Sequence, residues 1–458
     1  MFNWFSKNKN TKSNSGNSSE KEIIVRIPPS PTGNLHTGTA RTALFNYLFA
    51  KKHNGKIILR YEDTDIARSK KEFEKNIEDG LSWLNIECDE TYRQSERGDI
   101  YKKYIQKLLD ENKAYISKEE AKDENSRSEV IRFKNTNKVV TFKDEIRGEI
   151  SFDTTELGDF VIAKSIDEPL YHLAVVVDDF EMKISHIIRG EDHISNTPRQ
   201  ILIQEAIGAT CPIYAHIPLI LGADKSKLSK RHGATALTDF RDQGYLPEAF
   251  INFLSLLGWN PGTEQEIFSM KELIEAFDLK QIQKGGAIFN QEKLNWFNKH
   301  YIKEMDNDLF MHIFSEKIPN FKVTGEQMSK IIPIVKDRIE TLSDINKMYE
   351  EGELSYFESM PEYETDLLKW KKTETISETK EYLKEVHNLL SSVSDFTKES
   401  IKEAIWKFAE EKGKGDVLWP FRVALSGKEK SPDPIELSYI LEKEETLKRI
   451  ENAISKIS

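Results

Sequence analysis

The stretch Val25–Phe49, VRIPPSPTGNLHTGTARTALFNYLF, joins a short apolar run to a helical pattern through a turn rich in glycine and proline. Because apolar residues recur at helical spacing beyond Gly38, the stretch predicts a strand, a loop and a helix, with Thr39 as a candidate helix cap. The start of such a helix presents N–H groups and a partial positive charge to a phosphate, and His36 adds a ring nitrogen. Without a second signal, this motif is as typical of a tight connection as of a phosphate site.

A cationic segment, Ala223–His232 with the sequence ADKSKLSKRH, supplies a second signal. Its positively charged side chains are those of Lys225, Lys227, Lys230 and Arg231. A loop of this composition can bring positive charge onto a polyphosphate. A solvated basic loop is the alternative interpretation of the segment by itself. The two segments together favour a site for a nucleotide polyphosphate.

Length and composition indicate a chain of several domains. The 458 residues exceed what one hydrophobic core usually serves, and 38% hydrophobic with 31% charged residues is ordinary for a soluble globular protein. No apolar run approaches the roughly 18 residues of a membrane span. The two cysteines, Cys88 and Cys211, are too few for a disulfide framework or a thiolate zinc site. We therefore expect a cytoplasmic protein with no membrane partner.

The net charge of −11 does not exclude a nucleic-acid partner, because binding depends on local patches rather than on the sum. Basic residues cluster at 225–231, 412–414 and 428–430, whereas acidic residues dominate 350–381. We expect a polarised surface with one positive face.

The hydrophobic pattern predicts a strand over Ile23–Ile27, a helix over Gly38–His53 and a strand over Ile57–Tyr61. Such a parallel crossover places ligands at the carboxyl ends of its strands, where Glu62 follows the second strand. A polar turn is the alternative interpretation of Glu62 and its acidic neighbours. Further strands are predicted at Leu170–Val177 and at 184–189. Beyond Gly262 the pattern is helical, with helices predicted at 271–277, 291–301, 324–349, 367–390, 400–412 and 446–457.

Two motifs carry a resemblance to a known family. PSPTGNLHTG at 29–38 and KLSKR at 227–231 resemble the HIGH and KMSKS signatures of class I aminoacyl-tRNA synthetases. Longer blocks, found at 59–69, 171–203 and 241–262, are similar to bacterial-type glutamyl-tRNA synthetases and occur in that family's order. The resemblance extends almost from Val25 to Ile454.

The resemblance implies an α/β fold with a Rossmann-like parallel-sheet catalytic domain, an inserted α+β acceptor-binding domain and an all-α anticodon-binding region. Its implied boundaries are 23–102 and 171–224 for the catalytic domain, 103–170 for the insertion, 225–306 for a stem-contact domain with the KLSKR loop, and 307–458 for the helical region. Residues 1–22, rich in Asn, Ser and Lys, are expected to form a disordered tail. Many relatives carry a zinc knuckle in the insertion, but the stretch AYISKEEAKDENSRSEV lacks cysteine and histidine, so no zinc is expected.

The implied activity is glutamate–tRNA ligation. Glutamate is activated with ATP to an adenylate and is then transferred to the 3′ end of tRNA-Glu, with Mg²⁺ accompanying ATP. The sequence leaves open whether tRNA-Gln is also charged, and relatives suggest a monomer. Two other interpretations remain at this point: an enzyme that charges a different acceptor, and an inactive tRNA-binding module.

The resemblance also implies the site residues. It gives catalytic roles to His36, Lys227 and Lys230. It gives ATP binding to Gly38, Thr39, Asp192, Leu228, Ser229, Lys230 and Arg231, and glutamate binding to Arg26, Ser30, Glu62, Tyr171 and Arg189. No residue is expected to bind a metal.

Physical chemistry supports two of these assignments. A diacid substrate needs two cations, and the guanidinium groups of Arg26 and Arg189 can each grip a carboxylate with parallel hydrogen bonds. A surface salt bridge is the alternative for each arginine.

Several positions depart from the family pattern or have more than one interpretation. Pro28 and Thr37 stand where alanine and an aliphatic residue are usual, and Pro28 removes a backbone N–H. Trp419, Phe421 and Arg422 are candidates for contacts with anticodon bases, with helix packing as the alternative for the aromatic pair.

Overall fold

The computed structural model describes residues 22–119, 129–229, 231, 233, 235–371 and 375–457. The predicted tail, residues 1–22, lies outside these ranges except for Glu22, and so do Lys230 and residues 120–128 of the stretch without zinc ligands. The chain forms two compact units. The N-terminal unit consists of Met1–Leu237 and Leu254–Phe289, and the C-terminal unit of Thr238–Phe253 and Asn290–Ser458. The five regions implied by the resemblance stay a prediction.

The strands of the described residues are β1 (Ile24–Ile27), β2 (Lys56–Tyr61), β3 (Glu90–Arg93), β4 (Ala114–Lys118), β5 (Glu129–Phe133), β6 (Val139–Asp144), β7 (Gly148–Asp153), β8 (Phe160–Ser165), β9 (Glu168–Pro169), β10 (His186–Gly190), β11 (Ile213–Ile217), β12 (Ile220–Leu221) and β13 (Ala287–Ile288).

The helices are α1 (Thr37–Lys52), α2 (Lys71–Trp83), α3 (Gly98–Asp110), α4 (Tyr171–Glu181), α5 (Thr197–Ile207), α6 (Leu237–Asp242), α7 (Pro247–Leu256), α8 (Met270–Ala276), α9 (Gln291–Glu304), α10 (Asn307–Lys317), α11 (Gly325–Arg338), α12 (Asp344–Glu350), α13 (Ser355–Glu358), α14 (Ile376–Ser391), α15 (Lys398–Lys412), α16 (Lys414–Ser426) and α17 (Pro434–Lys456). None of them combines the length and the apolar run needed to cross a bilayer, among the residues described.

Parallel strands form the centre of the N-terminal unit. β1, β2 and β3 pair in parallel, and so do β10 and β11. The backbone N–H of Ser185 donates to Ile24 O at 2.9 Å, which brings the start of β10 beside β1. The carboxyl ends of β1, β2 and β10 therefore share one edge, where ligands bind in sheets of this kind. The predicted Rossmann-like fold class is confirmed.

The turn from α1 to β2 depends on a glycine at the point of closest approach. A Cβ on Gly55 would lie 2.5 Å from Ile23 O, inside any acceptable contact distance. Asn54, just before it, has a φ of 51° in the left-handed region that asparagine tolerates. The chain can therefore reverse tightly and pair β2 with β1.

The start of α1 differs from the sequence prediction. The N-cap is His36, whose ring nitrogen accepts the N–H of Gly38, and the helix begins at Thr37. Thr39 lies inside the first turn, so its prediction as the cap is wrong. A histidine can replace the usual capping side chain because its Nδ1 reaches the same amide.

The segment after Leu170 is a helix, and the strand predicted there is wrong. Residues 173–179 of α4, LAVVVDD, are all buried. A helix that is covered on all sides shows no amphipathic period, so its run of valines resembles a buried strand. α4 places Asp178 and Asp179 inside the N-terminal unit.

A hairpin from the predicted insertion joins the sheet that carries β10. β6 and β7 pair antiparallel from Val139 with Asp153 to Asp144 with Gly148. β6 also pairs with β11, where Asp144 lies opposite Tyr214, and the strand order becomes β10-β11-β6-β7. β4, β5, β8 and β9 form a separate antiparallel sheet.

The described part of the C-terminal unit is helical, which confirms the predicted all-α region. The helix predicted over 324–349 is two helices, α11 and α12. The chain turns between them because Asp344 Oδ2 accepts the backbone N–H groups of Glu340 and Thr341. The helix predicted over 446–457 forms the second part of α17. A break at Glu442, whose φ is 65°, separates it from a first part that begins at Pro434.

The aromatic residues of α16 serve packing. Phe421 is completely buried, so of the two interpretations open for it the structure supports helix packing. Trp419 donates its indole N–H to Leu367 O at 2.8 Å and lies 5.0 Å from the ring of Trp370. Arg422, by contrast, lines a cleft of 620 Å³.

Candidate active site

Two cavities open at the shared edge of the parallel strands. The first, the helix-start cavity, has a volume of 410 Å³ and is lined by Pro28, His36, Gly38, Thr39, Arg41, Thr42, Arg189, Gly190, Asp192, His193, Leu219, Ile220, Lys227 and Leu228. The structure thus brings together seven of the predicted site residues from segments almost 200 positions apart. The predicted residues among these are His36, Gly38, Thr39, Arg189, Asp192, Lys227 and Leu228.

His36 presents a hydrogen-bond donor to the helix-start cavity. Its Nδ1 accepts the N–H of Gly38 at 3.0 Å, so the ring proton of the neutral imidazole resides on Nε2. Burial, together with the positive charge of Lys227, lowers the pKa of His36 below its ordinary value. The imidazole is therefore neutral near pH 7, and its Nε2–H can donate to a phosphate oxygen.

The basic loop is joined to the strand edge beside this histidine. Lys227 Nζ lies 2.9 Å from Asp192 Oδ2, and the N–H of Leu228 donates to Ile220 O at 2.9 Å. Arg231 is exposed and bonds Asp224 and Ser226 within the same loop. Ser229 follows Leu228 in this loop, and the predicted Lys230 lies outside the described residues.

Thr37, at a position where the family pattern has an aliphatic residue, secures the chain that follows the basic loop. Its Oγ1 and its backbone N–H both donate to Thr235 O, at 2.8 and 2.9 Å. The adjacent pair His36 and Ala236 forms an antiparallel bridge. The hydroxyl is fully buried and satisfied, which explains how threonine is accommodated here.

The second cavity, the strand-end cavity, has a volume of 680 Å³. It is lined by Ser30, Thr32, Glu62, Thr64, Asp65, Ile66, Ala67, Arg68, Gln94, Ser95, Gly98, Tyr101, Lys164, Asp167, Glu168, Pro169, Leu170 and Tyr171. Three of the predicted glutamate-binding residues, Ser30, Glu62 and Tyr171, are among them. Arg26, the fourth, is buried at the end of β1, and Arg189 lines the helix-start cavity.

Buried arginines at the strand ends are neutralised by acidic residues of α4 that the sequence analysis missed. Asp179 Oδ1 accepts from Arg26 Nε at 3.3 Å and from Arg60 Nη1 at 2.7 Å. Arg60 Nη2 also donates to Glu62 Oε1 at 3.0 Å. Asp178 accepts hydrogen bonds from Tyr101, Gln94 and Arg97. The sequence signal for these ion pairs was the presence of two adjacent aspartates in an apolar run. Charged residues are almost never fully buried without partners, so this pair predicts buried cations nearby.

Glu62 is placed to receive a cation. Burial raises the pKa of Glu62 above its ordinary value, although the positive charges of Arg60 and Arg26 act in the opposite direction. A buried carboxylate whose neighbours do not fully compensate it is stabilised by a further positive group. An ammonium group in the strand-end cavity would supply that charge.

Arg189 is placed to receive an anion. Its Nε donates to His216 Nε2 at 3.1 Å and its Nη2 to Thr197 Oγ1 at 2.9 Å, whereas Nη1 is buried without a hydrogen-bond partner. Burial lowers the pKa of Arg189. A buried N–H group of a guanidinium costs free energy until an acceptor reaches it. A carboxylate is the acceptor whose charge and shape fit best.

Comparison with known proteins identifies the family. A family model described as tRNA synthetases class I (E and Q), catalytic domain, matches residues 22–123 and 116–296. A second, described as anticodon binding domain, matches residues 292–454.

Similar proteins of known name or structure cover nearly the whole chain. A glutamate–tRNA ligase of Carboxydothermus hydrogenoformans is 41% identical over 94% of this chain and 99% of its own length. One of Caldanaerobacter subterraneus is 40% identical over 94% of this chain and 98% of its own length. A crystal structure of a glutamate tRNA ligase from Elizabethkingia meningosepticum in complex with its amino acid is 36% identical, with a TM-score of 0.84 over 96% of this chain and 100% of that chain.

Two neutral histidines near the cavities make the stability of the N-terminal unit depend on pH. Burial, with the charges of Arg199 and Arg189, lowers the pKa of His172 to about 4. Burial and the charge of Arg189 lower that of His193 to about 4 as well. Between the ordinary value of 6.5 and about 4, the unfolded chain binds protons that the folded chain does not. The free energy of unfolding therefore falls as the pH is lowered through this window.

We expect the variant His172→Gln to lose less stability on acidification. Each such histidine contributes a slope of at most about 1.4 kcal/mol per pH unit between pH 6.5 and 4. Urea unfolding of parent and variant at several pH values measures the two slopes. Equal slopes for the parent and His172→Gln would contradict the burial of a neutral His172.

Proposed function

Since this chain belongs to the class I tRNA synthetases, and within them to the glutamate–tRNA ligases, we propose that the helix-start cavity binds ATP and that L-glutamate binds where the two cavities adjoin. The hydroxyl of Tyr171, in the strand-end cavity, lies 3.1 Å from His193 Nδ1, in the helix-start cavity, and Arg189 lines the latter. The enzyme activates L-glutamate with ATP to glutamyl-adenylate and transfers the glutamyl group to tRNA-Glu. An enzyme that lacks the helical carboxyl-terminal region does not fit, because the anticodon-binding family matches residues 292–454.

In the first step, the α-carboxylate of glutamate attacks the α-phosphorus of ATP and diphosphate leaves. Catalysis of this step consists mainly of positioning and of neutralising charge on the phosphates. His36 and Lys227 both line the helix-start cavity, and Lys230 follows in the basic loop. Gly38 and Thr39 belong to the first turn of α1. The N–H groups of Thr37 and Gly38 already donate to Thr235 O and His36 Nδ1, so this turn favours a phosphate through the partial positive charge of the helix start.

Mg²⁺ enters with ATP as part of the substrate. Within the described residues, no group of three or more histidine, cysteine, aspartate or glutamate side chains is arranged to hold a metal ion. We assign Mg²⁺ to the phosphate oxygens of ATP, the ligands that it ordinarily takes in such substrates.

Selection of glutamate follows from the charges of Glu62 in the strand-end cavity, of Arg189 in the helix-start cavity and of the buried Arg26. Glu62 receives the substrate's ammonium group and Arg189 receives one carboxylate. Arg26, which shares the single Oδ1 of Asp179 with Arg60, receives the other. Tyr171 and Ser30 line the strand-end cavity and complete the binding surface. Glutamine would leave one guanidinium facing a neutral amide, which costs several kcal/mol when the charge is buried.

The strongest support for this assignment is the buried Nη1 of Arg189, which has no hydrogen-bond partner in the protein. Arg26 is already paired with Asp179, and Arg60 with Asp179 and Glu62. Among the described residues, Arg189 donates hydrogen bonds to the neutral acceptors His216 and Thr197, and its guanidinium carbon lies 5.6 Å from the centre of the Tyr214 ring. Its positive charge is therefore left for a ligand.

The C-terminal unit is the proposed reader of the anticodon. Arg338, Arg422 and Lys430 line the cleft of 620 Å³ in this unit and can contact phosphates or splayed bases. A monomeric state and a cytoplasmic location stay predictions.

We expect His36→Asn and Lys230→Ala to slow adenylate formation by about a hundredfold to a thousandfold, the usual effect of removing one donor that stabilises transition-state charge. Asparagine at position 36 can still cap α1 by accepting the N–H of Gly38, so the variant removes mainly the distal donor. ATP–pyrophosphate exchange with glutamate, measured with and without tRNA, gives the rates. The KM for glutamate should stay near the parent value. Exchange at the parent rate would contradict the assigned roles.

We expect Arg189→Lys to raise the KM for glutamate by about thirtyfold or more, because the variant keeps the charge but loses the forked donors. The KM for ATP should change much less than the KM for glutamate, although Arg189 also lines the helix-start cavity. The ratio of kcat/KM for glutamate to that for glutamine should fall in the same variant. Steady-state exchange assays with each amino acid measure both quantities, and an unchanged KM for glutamate would refute the role of Arg189.

Aminoacylation of purified tRNA-Glu and tRNA-Gln with labelled glutamate tests the acceptor. We expect tRNA-Glu to be charged, and Arg422→Ala to raise the KM for this tRNA without changing exchange kinetics. Charging of tRNA-Gln at a similar rate would show that the C-terminal unit does not distinguish the two anticodons. Absence of charging on tRNA-Glu would overturn the proposed acceptor.

A further inference from the structure

Arg189 is held by a chain of buried polar groups that reaches outside the two cavities. His216, opposite Arg189 in the parallel pair β10 and β11, accepts from Arg189 Nε through its Nε2 at 3.1 Å. The other ring nitrogen of His216, Nδ1, lies 2.7 Å from Asp144 Oδ2. All three side chains are buried, with His216 completely inaccessible. The hydrogen-bonded series Asp144–His216–Arg189 therefore links the β6–β7 hairpin to the helix-start cavity, which Arg189 lines.

The carboxylate of Asp144 determines which nitrogen of His216 carries the proton. An aspartate oxygen can only accept, so Nδ1 of the imidazole must donate to it and Nε2 must keep its lone pair. That lone pair is what Arg189 Nε needs. In the opposite tautomer, an Nε2–H would face the N–H of Arg189, and two donors would repel each other.

Asp144 is itself fixed in place. Its Oδ1 accepts the backbone N–H groups of Ile146 and Arg147 at 3.0 and 2.9 Å, and its Oδ2 also accepts the N–H of His216 at 3.0 Å. Burial opposes ionisation of this side chain, but the hydrogen bonds from His216 and from these amides outweigh it and lower the pKa of Asp144. The carboxylate is thus ionised and has a single orientation.

We propose that Asp144 is a positioning residue for the substrate carboxylate, acting through the tautomer of His216 on the orientation of Arg189. This inference rests on the proposed role of Arg189 in glutamate binding. With Nε and Nη2 held by His216 and Thr197, the planar guanidinium has one remaining direction for Nη1. Preorganisation of this kind lowers the cost of binding, because the side chain is ordered before the ligand arrives.

The variant Asp144→Asn tests whether Asp144 positions Arg189 through His216. If the NH₂ group of the new amide faces His216, it cannot accept the Nδ1–H of the imidazole. If the amide oxygen faces His216 instead, the NH₂ group faces the backbone N–H groups of Ile146 and Arg147, which then lose their acceptor. We expect the KM for glutamate to rise by about tenfold to a hundredfold, as is typical when an orienting partner is removed, with the KM for ATP unchanged.

A second variant separates positioning from general damage to the fold. The substitution His216→Gln replaces the imidazole by an amide, whose oxygen can accept from Arg189 whatever residue stands at position 144. In this background, Asp144→Asn should leave the KM for glutamate unchanged, so the two substitutions should be strongly non-additive.

A matched control lies at the other end of the same hairpin. Thr154 is fully buried, and its Oγ1 donates to Lys138 O and accepts the N–H of Lys138 at 3.1 Å. Thr154→Val loosens the hairpin without touching His216, so it should lower the thermal midpoint but leave the KM for glutamate at the parent value.

The outcomes distinguish the inference from the function it rests on. A rise in the KM for glutamate that is equal in the parent and His216→Gln backgrounds, or that is matched for ATP, overturns the inference in favour of a structural role. An unchanged KM in Asp144→Asn, with a raised KM in Arg189→Lys, also overturns it and leaves the proposed function intact. An unchanged KM in Arg189→Lys overturns both.

Discussion

The burial of arginine side chains at the ends of β1, β2 and β10 is the constraint on which the N-terminal unit depends. A buried guanidinium without a partner costs several kcal/mol, so each of these residues requires an acceptor inside the protein or from a ligand. The aspartates of α4 meet this need for Arg26 and Arg60. α4 therefore has to be a buried helix at this position, and its apolar run of valines carries the two carboxylates into the interior.

Arg189 differs from Arg26 and Arg60 because no carboxylate of the described residues is paired with it. This difference explains how the same group of buried arginines can both stabilise the fold and bind a substrate. Its partners in the protein are a neutral imidazole and a hydroxyl, which orient the guanidinium without cancelling its charge. Glu62 shows the converse case, because burial disfavours its negative charge more than Arg60 and Arg26 favour it. A ligand with an ammonium group and a carboxylate group can compensate the charge of Glu62 and that of Arg189 together.

The sequence predicted those features that depend on local pattern. The turn around His36 and the basic loop at 227–231 each carry a recognisable motif, and the fold brings His36 and Lys227 to one cavity. Features that depend on packing were missed or misread. α4 looked like a strand because burial on all sides removes the amphipathic period, and His36 rather than Thr39 caps α1 because a ring nitrogen reaches the amide of Gly38. The pairing of Asp144 with His216 depends on strand register, which no short motif encodes.

The β6–β7 hairpin belongs to the stretch of chain that interrupts the two halves of the parallel sheet, yet Asp144, the last residue of β6, pairs with a strand of that sheet. Exchange of the interrupting stretch between related enzymes, in evolution or in the laboratory, would therefore also exchange Asp144, which is proposed to position Arg189 for the substrate carboxylate. A chimera that keeps this hairpin from the host can accept foreign material around it. A chimera that also replaces the hairpin combines the donor's residue at position 144 with the host's His216 and Arg189. These three residues must then be compatible with one another.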